Sequence, residues 1–295
     1  MPGATRQPTA CLSIHPLAQA EENSIDWKEL TDYIGREEIF CCQLMEEILS
    51  GNRSVLYTIQ NSRSIVGIFS YTRGGSFSGC IKKFTRETNS VLHDFFMLNK
   101  TSCISGKESF VKKVLSIISQ CGQSTECSFR SMHMMEFSRP TKIIPSSLKI
   151  ERCTMDDADA MMPLQVEYSR SEVLPHWQET YLPQERAIVE HRIRQHRMFA
   201  LYSEDGTIIS RLYINGLTKK YSQIGGVFTR KEFRGRGYAS TLVSQIAGIC
   251  YPDTTPILFV NRRNIPAVRA YTRAGFRTCG RYAIALLNYD GPSHS

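Results

Sequence analysis

Residues 222–240, SQIGGVFTRKEFRGRGYAS, join a strand-like segment to a helix through a basic, glycine-rich turn. The strand-like part is apolar apart from the pair Gly225 and Gly226. Glycines inside a strand mark a bulge or the close approach of another part of the backbone. The sequence therefore predicts a buried strand that is interrupted at this pair.

The turn itself has the composition of an anion site. From Tyr238 apolar residues recur at helical spacing, so the turn lies at a helix N-terminus, where free N–H groups and the helix dipole favour an anion. Gly235 and Gly237 remove side chains that would keep an anion away, and Arg234 and Arg236 add cationic donors. We predict a phosphate or pyrophosphate site here. A plain tight connection between strand and helix is the alternative.

Two other nucleotide-binding patterns do not fit the turn. A Walker loop requires Gly-Lys-Ser/Thr, and a dinucleotide fingerprint requires G-x-G-x-x-G with an acidic residue about 20 positions later. Neither spacing occurs around residues 222–240. The turn is therefore not predicted to bind ATP or NAD in those ways.

The turn resembles a known family. Residues 234–239, RGRGYA, match R-x-x-G-x-G/A, the acetyl-CoA pyrophosphate loop of the GNAT superfamily of N-acetyltransferases. Further along, Asn264, Ala267, Tyr271 and Gly275 fall at the spacing of that family's N-x-x-A-x-x-x-Y-x-x-x-G-F ending. Asparagine is a good helix N-cap and glycine closes a helix, so the local physics agrees. The resemblance covers residues 147–289, about half of the chain.

The resemblance implies a mixed α/β sheet of the GNAT type in residues 147–295, with acetyl-CoA as the acyl donor. It also implies a set of residues that contact the donor along the central strand, the turn and the following helices: Val227, Phe228, Thr229, Arg234, Gly235, Arg236, Gly237, Tyr238, Ala239, Ser240 and Asn264. No metal site is implied.

The same resemblance suggests catalytic groups. Tyr271 matches the tyrosine that protonates the departing thiolate, although a core aromatic residue is the alternative. A backbone N–H near Val227 or Phe228 is the candidate donor to the developing oxyanion. Relatives often carry a carboxylate on the central strand, but residues 221–229 contain no Asp or Glu. Glu172 and His176 are the nearest candidate bases, each of which is also interpretable as a substrate-recognition or surface residue.

The first half of the chain shows a weaker likeness. Residues 1–24 are predicted to be a disordered tail, residues 25–140 a smaller α/β domain, and the stretch between residues 139 and 146, rich in proline and serine, a linker. The predicted order of elements is helices, then strands, and then a strand, a helix and a strand. This order is similar to a GNAT fold with pieces missing. The predicted helices are residues 27–34, 37–49 and 108–118, and the predicted strands are residues 54–60, 64–71, 76–81 and 131–137. Because no phosphate turn precedes residue 147, this half is interpreted as a degenerate copy, with an unrelated α/β domain as the alternative.

Composition limits the possible partners. The chain has 295 residues, 41% of them hydrophobic and 22% charged, which suits two globular domains. Of the net charge of +8, residues 147–295 carry +6. The basic residues are scattered, which argues against nucleic acid. Ten cysteines without a C-x-x-C pair argue against zinc and for a reducing cytoplasm, and no apolar stretch of 18 residues predicts a membrane span.

The sequence thus predicts an N-acetyltransferase that moves an acetyl group from acetyl-CoA to a small-molecule or peptide amine. Three alternatives stay open: a transferase of longer acyl or aminoacyl groups, a CoA-binding sensor without turnover, and an interaction protein without a cofactor. A homodimer is one option for the oligomeric state.

Overall fold

The computed structural model describes residues 12–20, 25–62, 64–122, 126–138 and 148–289. Within these ranges the strands are β1 Ser13–Pro16, β2 Leu56–Gln60, β3 Ile65–Tyr71, β4 Ser76–Cys80, β5 Cys103–Lys107, β6 Glu126–Phe137, β7 Ile150–Arg152, β8 Met198–Tyr202, β9 Ile208–Leu217, β10 Tyr221–Thr229, β11 Thr255–Asn261 and β12 Phe276–Asn288. The α-helices are α1 Trp27–Ile34, α2 Cys42–Leu49, α3 Arg86–Leu98, α4 Glu108–Gln120, α5 Ala158–Tyr168, α6 Leu182–Arg194, α7 Tyr238–Cys250 and α8 Ile265–Arg273.

The chain divides into two compact units. The described residues of Met1–Cys127 together with those of Ile284–Gly291 form the first unit, and those of Ser128–Ala283 form the second. The division therefore falls two residues into β6, after Cys127, and not at the predicted linker. Most of that linker lies outside the described residues. Each unit also contains a strand segment from the other half of the sequence.

The two halves of the chain repeat one order of elements: strand, two helices, three strands, helix, strand, helix, strand. In each half the first strand pairs antiparallel with the second, and the next three form an antiparallel meander. The last meander strand then pairs parallel with its successor, β4 with β5 and β10 with β11. The prediction that the first half is a second copy of the fold of the second half therefore agrees with the repeated order of elements.

The first unit includes a strand segment from the second half of the sequence, which begins at Ile284. Its α1 and α2 pack on the sheet through buried apolar residues such as Ile34 and Leu56. The N–H of Leu287 donates to the carbonyl of Ser102 at 2.9 Å, and the Tyr289 hydroxyl accepts from the N–H of Thr101 at 3.0 Å. The last strand segment is therefore an integral part of this unit.

The second unit carries helices on both faces of its sheet. Its strands follow the order β12, β6, β11, β10, β9, β8 and β7. One face packs against α7 and α8 around residues such as Leu212 and Leu258, and the other against α5 and α6 around residues such as Met161 and Phe228. Strand β10 lies at the centre of this sheet, so its residues contact both layers.

Several local predictions are confirmed, and several are wrong. Helices α1, α4 and α7 form as predicted. The tail prediction is wrong for residues 13–16, which form β1 and pair with β2, while residues 1–11 and 21–24 lie outside the described residues. The predicted helix 37–49 is a 3-10 turn followed by α2. Strands β5 and β12 and most of α3 were not predicted.

None of the helices in the described ranges combines the length and hydrophobicity needed to cross a bilayer. The nine cysteines among the described residues are all free thiols. No group of three or more His, Cys, Asp or Glu side chains in these ranges is arranged to hold a metal ion.

Candidate functional site

Strand β10 is interrupted by a bulge at its glycine pair. Its pairing with β9 shifts register between Gly225 and Phe228, so that two residues of β10 face one residue of β9. Gly226 has a φ of 59°, and a Cβ atom there would lie 2.0 Å from Cε1 of Tyr213. Only glycine fits this position, which confirms the predicted interruption.

Beyond the bulge, β10 and β11 separate. They are paired in parallel only from Tyr221 to Gln223. The backbone between Gly226 and Thr229 is therefore not part of the β10–β11 ladder. A gap between two parallel strands, opening toward a helix N-terminus, is a suitable place for an extended ligand with a charged end.

The predicted phosphate turn has an open backbone. Gly235 and Gly237 have φ angles of 78° and 86°, and no atom lies within 4 Å of the position of a Cβ on either residue. Helix α7 begins at Tyr238, and no side chain caps its first turn. The N–H groups of this first turn therefore face space that a phosphate could fill.

The two arginines of the turn lie differently from the prediction. The Nε of Arg234 donates to the carbonyl of Thr229 at 3.0 Å, and its guanidinium lies 5.0 Å from the ring centre of Phe228. Arg234 also pairs with Glu167 on α5 at 3.7 Å. The Arg236 guanidinium lies 5.7 Å from the ring of Phe233. Arg234 thus folds back over the end of β10, while both side chains stay exposed.

The remaining predicted donor-site residues have clear structural partners. Phe228 is buried on the α5 side of the sheet, while Val227 packs on the α7 side. The hydroxyls of Thr229 and Ser210 lie 2.8 Å apart. In α7, Tyr238 and Ala239 are half-buried in the first turn.

Two of the predicted side chains hold helices in place. The Ser240 hydroxyl donates to the carbonyl of Ala270 on α8 at 3.0 Å, which joins the first turn of α7 to α8. Asn264 caps α8, since its Oδ1 accepts from the N–H of Ala267 at 3.1 Å. Both residues therefore have a structural role, whatever else they contact.

Tyr271 lies on α8, next to the carbonyl that Ser240 binds. It is 8% exposed and packs in the apolar layer between the sheet and α7. Burial, with a smaller contribution from the negative charge of Glu172, raises the pKa of Tyr271 well above its ordinary value. The phenol is therefore neutral at physiological pH, which a proton donor or hydrogen-bond donor requires.

The segment that follows α5 carries the two candidate bases, Glu172 and His176. Glu172 is exposed in a single π-helical turn, Ser169–Val173, and His176 packs edge-on against Trp177. Arg130 on β6 donates to the carbonyl of Glu172 at 2.5 Å and to that of Leu174 at 3.0 Å. An arginine from the first half of the sequence thus fixes this segment.

An open cleft of about 1060 Å³ lies beside the same segment. Its walls come from α5, the start of α6 and the phosphate turn, including Met162, Val166, Leu182 and Arg234. The lining combines apolar side chains with charged groups of both signs. The cleft is large enough for an organic molecule of moderate size.

A buried polar network was missed from the sequence. Arg211 on β9 is fully buried and donates to the carbonyl of Gly226 at 2.9 Å and to Oε1 of Gln165 at 2.7 Å. Gln165 in turn donates to Glu185 on α6 at 2.6 Å, and Ser169 donates to the same carboxylate oxygen at 2.7 Å. A lone arginine in the apolar run of β9, IISRLYI, was the only signal.

Comparisons with known proteins agree with this architecture. Residues 201–283 match the family model described as FR47-like protein. The chain is similar over 96% of its length to a Drosophila protein of known structure, with 14% identity, 100% of that chain covered and a TM-score of 0.64. A tandem GNAT protein from the clavulanic acid biosynthesis pathway aligns over 96% of this chain and 99% of its own, with 10% identity and a TM-score of 0.58.

A third solved structure, a GCN5-related N-acetyltransferase from Sphaerobacter thermophilus, covers 87% of this chain and 92% of its own, with 16% identity and a TM-score of 0.54. A search of curated protein sequences finds no match. The chain therefore has the GNAT fold, and the resemblance predicted from the sequence is confirmed.

Proposed function

We propose that the second unit is an N-acetyltransferase that transfers an acetyl group from acetyl-CoA to an amine. The single observation that supports this most is the combination of a bulged, splayed β10 with the open glycine turn at the start of α7. Both features provide open space and backbone N–H donors, and the packing of the apolar core requires neither. The GNAT fold and the FR47-like match support an acyltransferase function.

The residues present fit an acyl-CoA molecule. No atom lies within 4 Å of the Cβ position of Gly235 or Gly237, so the turn leaves open space for a phosphate at the start of α7. The first-turn N–H groups of α7 would hold the pyrophosphate. The backbone of Val227 and Thr229, beyond the last β10–β11 pair, would hold the pantetheine arm. When bound, acyl-CoA supplies a thioester; the amine nitrogen bonds to its carbonyl carbon, the carbon–sulfur bond breaks, the nitrogen loses one proton and the sulfur gains one.

The protein's contribution is to stabilise charge at two atoms. The N–H of Val227 or Phe228 donates to the carbonyl oxygen as it becomes anionic. Tyr271 donates a hydrogen bond to the sulfur as it leaves. An ordinary thiol has a pKa of about 8.5, below that of a tyrosine, and burial raises the pKa of Tyr271 further. Stabilisation of the thiolate by hydrogen bonding is therefore favoured over complete proton transfer from Tyr271.

The amine must be neutral when it attacks. Strand β10 has no Asp or Glu, so its backbone region does not supply a base. Glu172 is the carboxylate that faces Tyr271 electrostatically, and it sits in the segment held by Arg130. We assign Glu172 to the acceptor side of the site. There its carboxylate attracts the amine in its cationic form, accepts the proton of the ammonium group and passes that proton to water.

The lack of a carboxylate on β10 also favours one alternative, a CoA-binding sensor without turnover. Transfer of a longer acyl or aminoacyl group by the same site is a second alternative, given the size of the cleft beside α5. The acceptor is a small-molecule or peptide amine, and the cytoplasmic location expected from the cysteines stays a prediction.

The test is a pair of measurements on the full chain. Thermal unfolding with acetyl-CoA at about 100 times its Kd should show about 2.7 kcal/mol of added stability, with ATP and NAD as controls that add none. Thiol release from acetyl-CoA is then measured with a panel of amines. Stabilisation with amine-dependent thiol release supports the enzyme, stabilisation without release supports the sensor, and no stabilisation contradicts both.

A further inference from the structure

We propose that Arg211 is a positioning residue of this site, which orients the bulged peptide between Gly226 and Val227 so that the Val227 N–H points at the acyl carbonyl oxygen. The inference rests on the acyl-transfer function proposed above. It assigns a role to the one fully buried arginine among the described residues.

The geometry of the peptide unit carries the argument. Gly226 and Val227 face a single residue of β9, so the Gly226 carbonyl has left the β9 ladder. Instead, Nη1 of Arg211 donates a hydrogen bond to this carbonyl at 2.9 Å. A trans peptide is planar, and its N–H points opposite to its C=O. Fixing the Gly226 carbonyl therefore fixes the direction of the Val227 N–H on the opposite edge of the same plane.

Arg211 is itself held on several sides. Its guanidinium lies 4.7 Å from the ring centre of Tyr168 and 5.5 Å from that of Tyr213. Its Nη2 donates to the amide oxygen of Gln165, and the amide nitrogen of Gln165 donates to the carboxylate of Glu185. The cation therefore has stacking partners and an indirect counter-charge. A side chain with so many fixed contacts can hold a peptide in one orientation.

Burying this charge is expensive, because a guanidinium loses its hydration and an apolar side chain of similar volume would pack at no such cost. Stability alone therefore does not explain an arginine here. Its two donated bonds join the bulge of β10 to α5, and Glu185 extends the connection to α6. Helices α5 and α6 flank the acceptor-side segment, so the same network fixes the distance between the acceptor side and the Val227 N–H.

The experiment uses a ketone analogue of acetyl-CoA, in which a methylene group replaces the thioester sulfur and the carbonyl carbon is labelled with ¹³C. A hydrogen bond to the ketone oxygen moves this resonance downfield on binding. We compare the wild type with Arg211→Met, Arg211→Lys and Leu212→Ala. Leu212 is the matched control, since it is the next residue of β9 and its side chain is fully buried on the other face of the sheet, in the layer against α7.

We expect a downfield displacement in the wild type and in Leu212→Ala, and loss of most of it in Arg211→Met. Arg211→Lys should keep part of it, because an ammonium group donates as a point and does not span both acceptors as the guanidinium fork does. If Arg211→Met does not fold, Arg211→Lys decides: an unchanged displacement overturns the inference.

The other outcomes separate the two proposals. Equal displacement in all variants overturns the role of Arg211 and leaves the acyl-transfer function standing. Equal loss in Arg211→Met and Leu212→Ala also overturns it, because general destabilisation then explains the effect. Failure of the wild type to bind the analogue, seen as an unchanged melting temperature, contradicts the proposed function and this inference together.

Discussion

The connection from β4 to α3 and the connection from β10 to α7 occupy the same place in the two copies of the fold, yet they differ in every feature that a phosphate needs. Helix α3 is capped by its own chain, since Thr85 accepts from the N–H of Thr88 at 3.2 Å. Helix α7 begins at Tyr238, and the preceding Gly237 provides no side-chain cap. The first connection satisfies its helix internally, and the second leaves its first turn available to a ligand.

The strands before these helices differ in the same sense. β4 pairs with β3 in unbroken register from Tyr71 and Phe77 to Ile68 and Cys80, whereas β10 is bulged. The space past β4 holds Phe110, which lies 3.2 Å from the position of a Cβ on Gly106, and a cavity of only about 210 Å³. The two copies therefore share a topology but differ in local structure: only the second has the bulge, the two open glycines and the helix without a side-chain cap at these positions.

The largest effect is expected from Gly237→Asp, which places a carboxylate in the cradle at the start of α7. Repulsion of the pyrophosphate should remove the stabilisation by acetyl-CoA, a loss of about 2.7 kcal/mol at a concentration 100 times the wild-type Kd. Thermal unfolding with and without the ligand measures it.

Gly206→Asp is the matched control for backbone strain. Gly206 has a φ of 82°, against 86° for Gly237, and its Cβ position is equally open, but it lies in the β8–β9 turn. Full stabilisation of Gly237→Asp by acetyl-CoA would show that α7 is no more a phosphate site than α3.

Tyr271→Phe should lower kcat by about 100-fold, the lower range for loss of one hydrogen-bond donor to charge that develops in the transition state, and leave the Kd for acetyl-CoA nearly unchanged. The reason is that the hydroxyl acts on the leaving sulfur and not on the bound ground state. Steady-state rates and a binding titration measure the two quantities.

Tyr251→Phe controls for packing, because Tyr251 lies against the same apolar layer as Tyr271. An unchanged kcat in Tyr271→Phe would support the interpretation of Tyr271 as a core aromatic and the sensor alternative.

Gly226→Ala and Gly79→Ala compare the two central strands directly. A Cβ at Gly226 meets the Tyr213 ring at a positive φ, and one at Gly79 lies 2.7 Å from Cβ of Phe69. Each should cost about 1–3 kcal/mol of stability. Only Gly226→Ala should weaken acetyl-CoA binding, because only β10 carries the bulge.

Denaturant unfolding gives the free energies, and a titration with acetyl-CoA gives the affinities. Equal affinity in both variants would mean that the bulge has no part in the site.

The smallest effect is expected from Thr85→Ala, which removes the cap of α3. It should cost about 1 kcal/mol of stability and leave acetyl-CoA binding unchanged. Chemical denaturation measures it, with Ser90→Ala on an exposed position of α3 as the control. A loss of acetyl-CoA affinity in Thr85→Ala would contradict the assignment of the site to the second unit.

The parts that could be predicted from the sequence are local ones. The glycine turn before α7, the bulge and the cap at Asn264 each depend on residues within a few positions of one another, so glycine and capping chemistry sufficed. β5, CISGK, was missed because its alternation is weak and short, and β12 because charged and polar residues interrupt its apolar pattern.

The parts that could not be predicted depend on distant partners. Arg211 contacts Gly226, Gln165 and, through the latter, Glu185, and no local pattern relates these positions. Arg130 lies before the predicted linker, yet it donates a hydrogen bond to the segment around Glu172, which lies after that linker. Tertiary pairing decides such contacts, and spacing along the chain does not report it.

The place of the final strand segment has a consequence for synthesis. The described part of Ile284–Gly291 belongs to the first unit, and its Leu287 pairs with Ser102, so this unit lacks a strand until those residues have been translated. At about 5–20 residues per second, the roughly 150 intervening residues take on the order of 10 s to translate. The first half of the nascent chain therefore waits with an unpaired strand edge until residues 284–289 have been made.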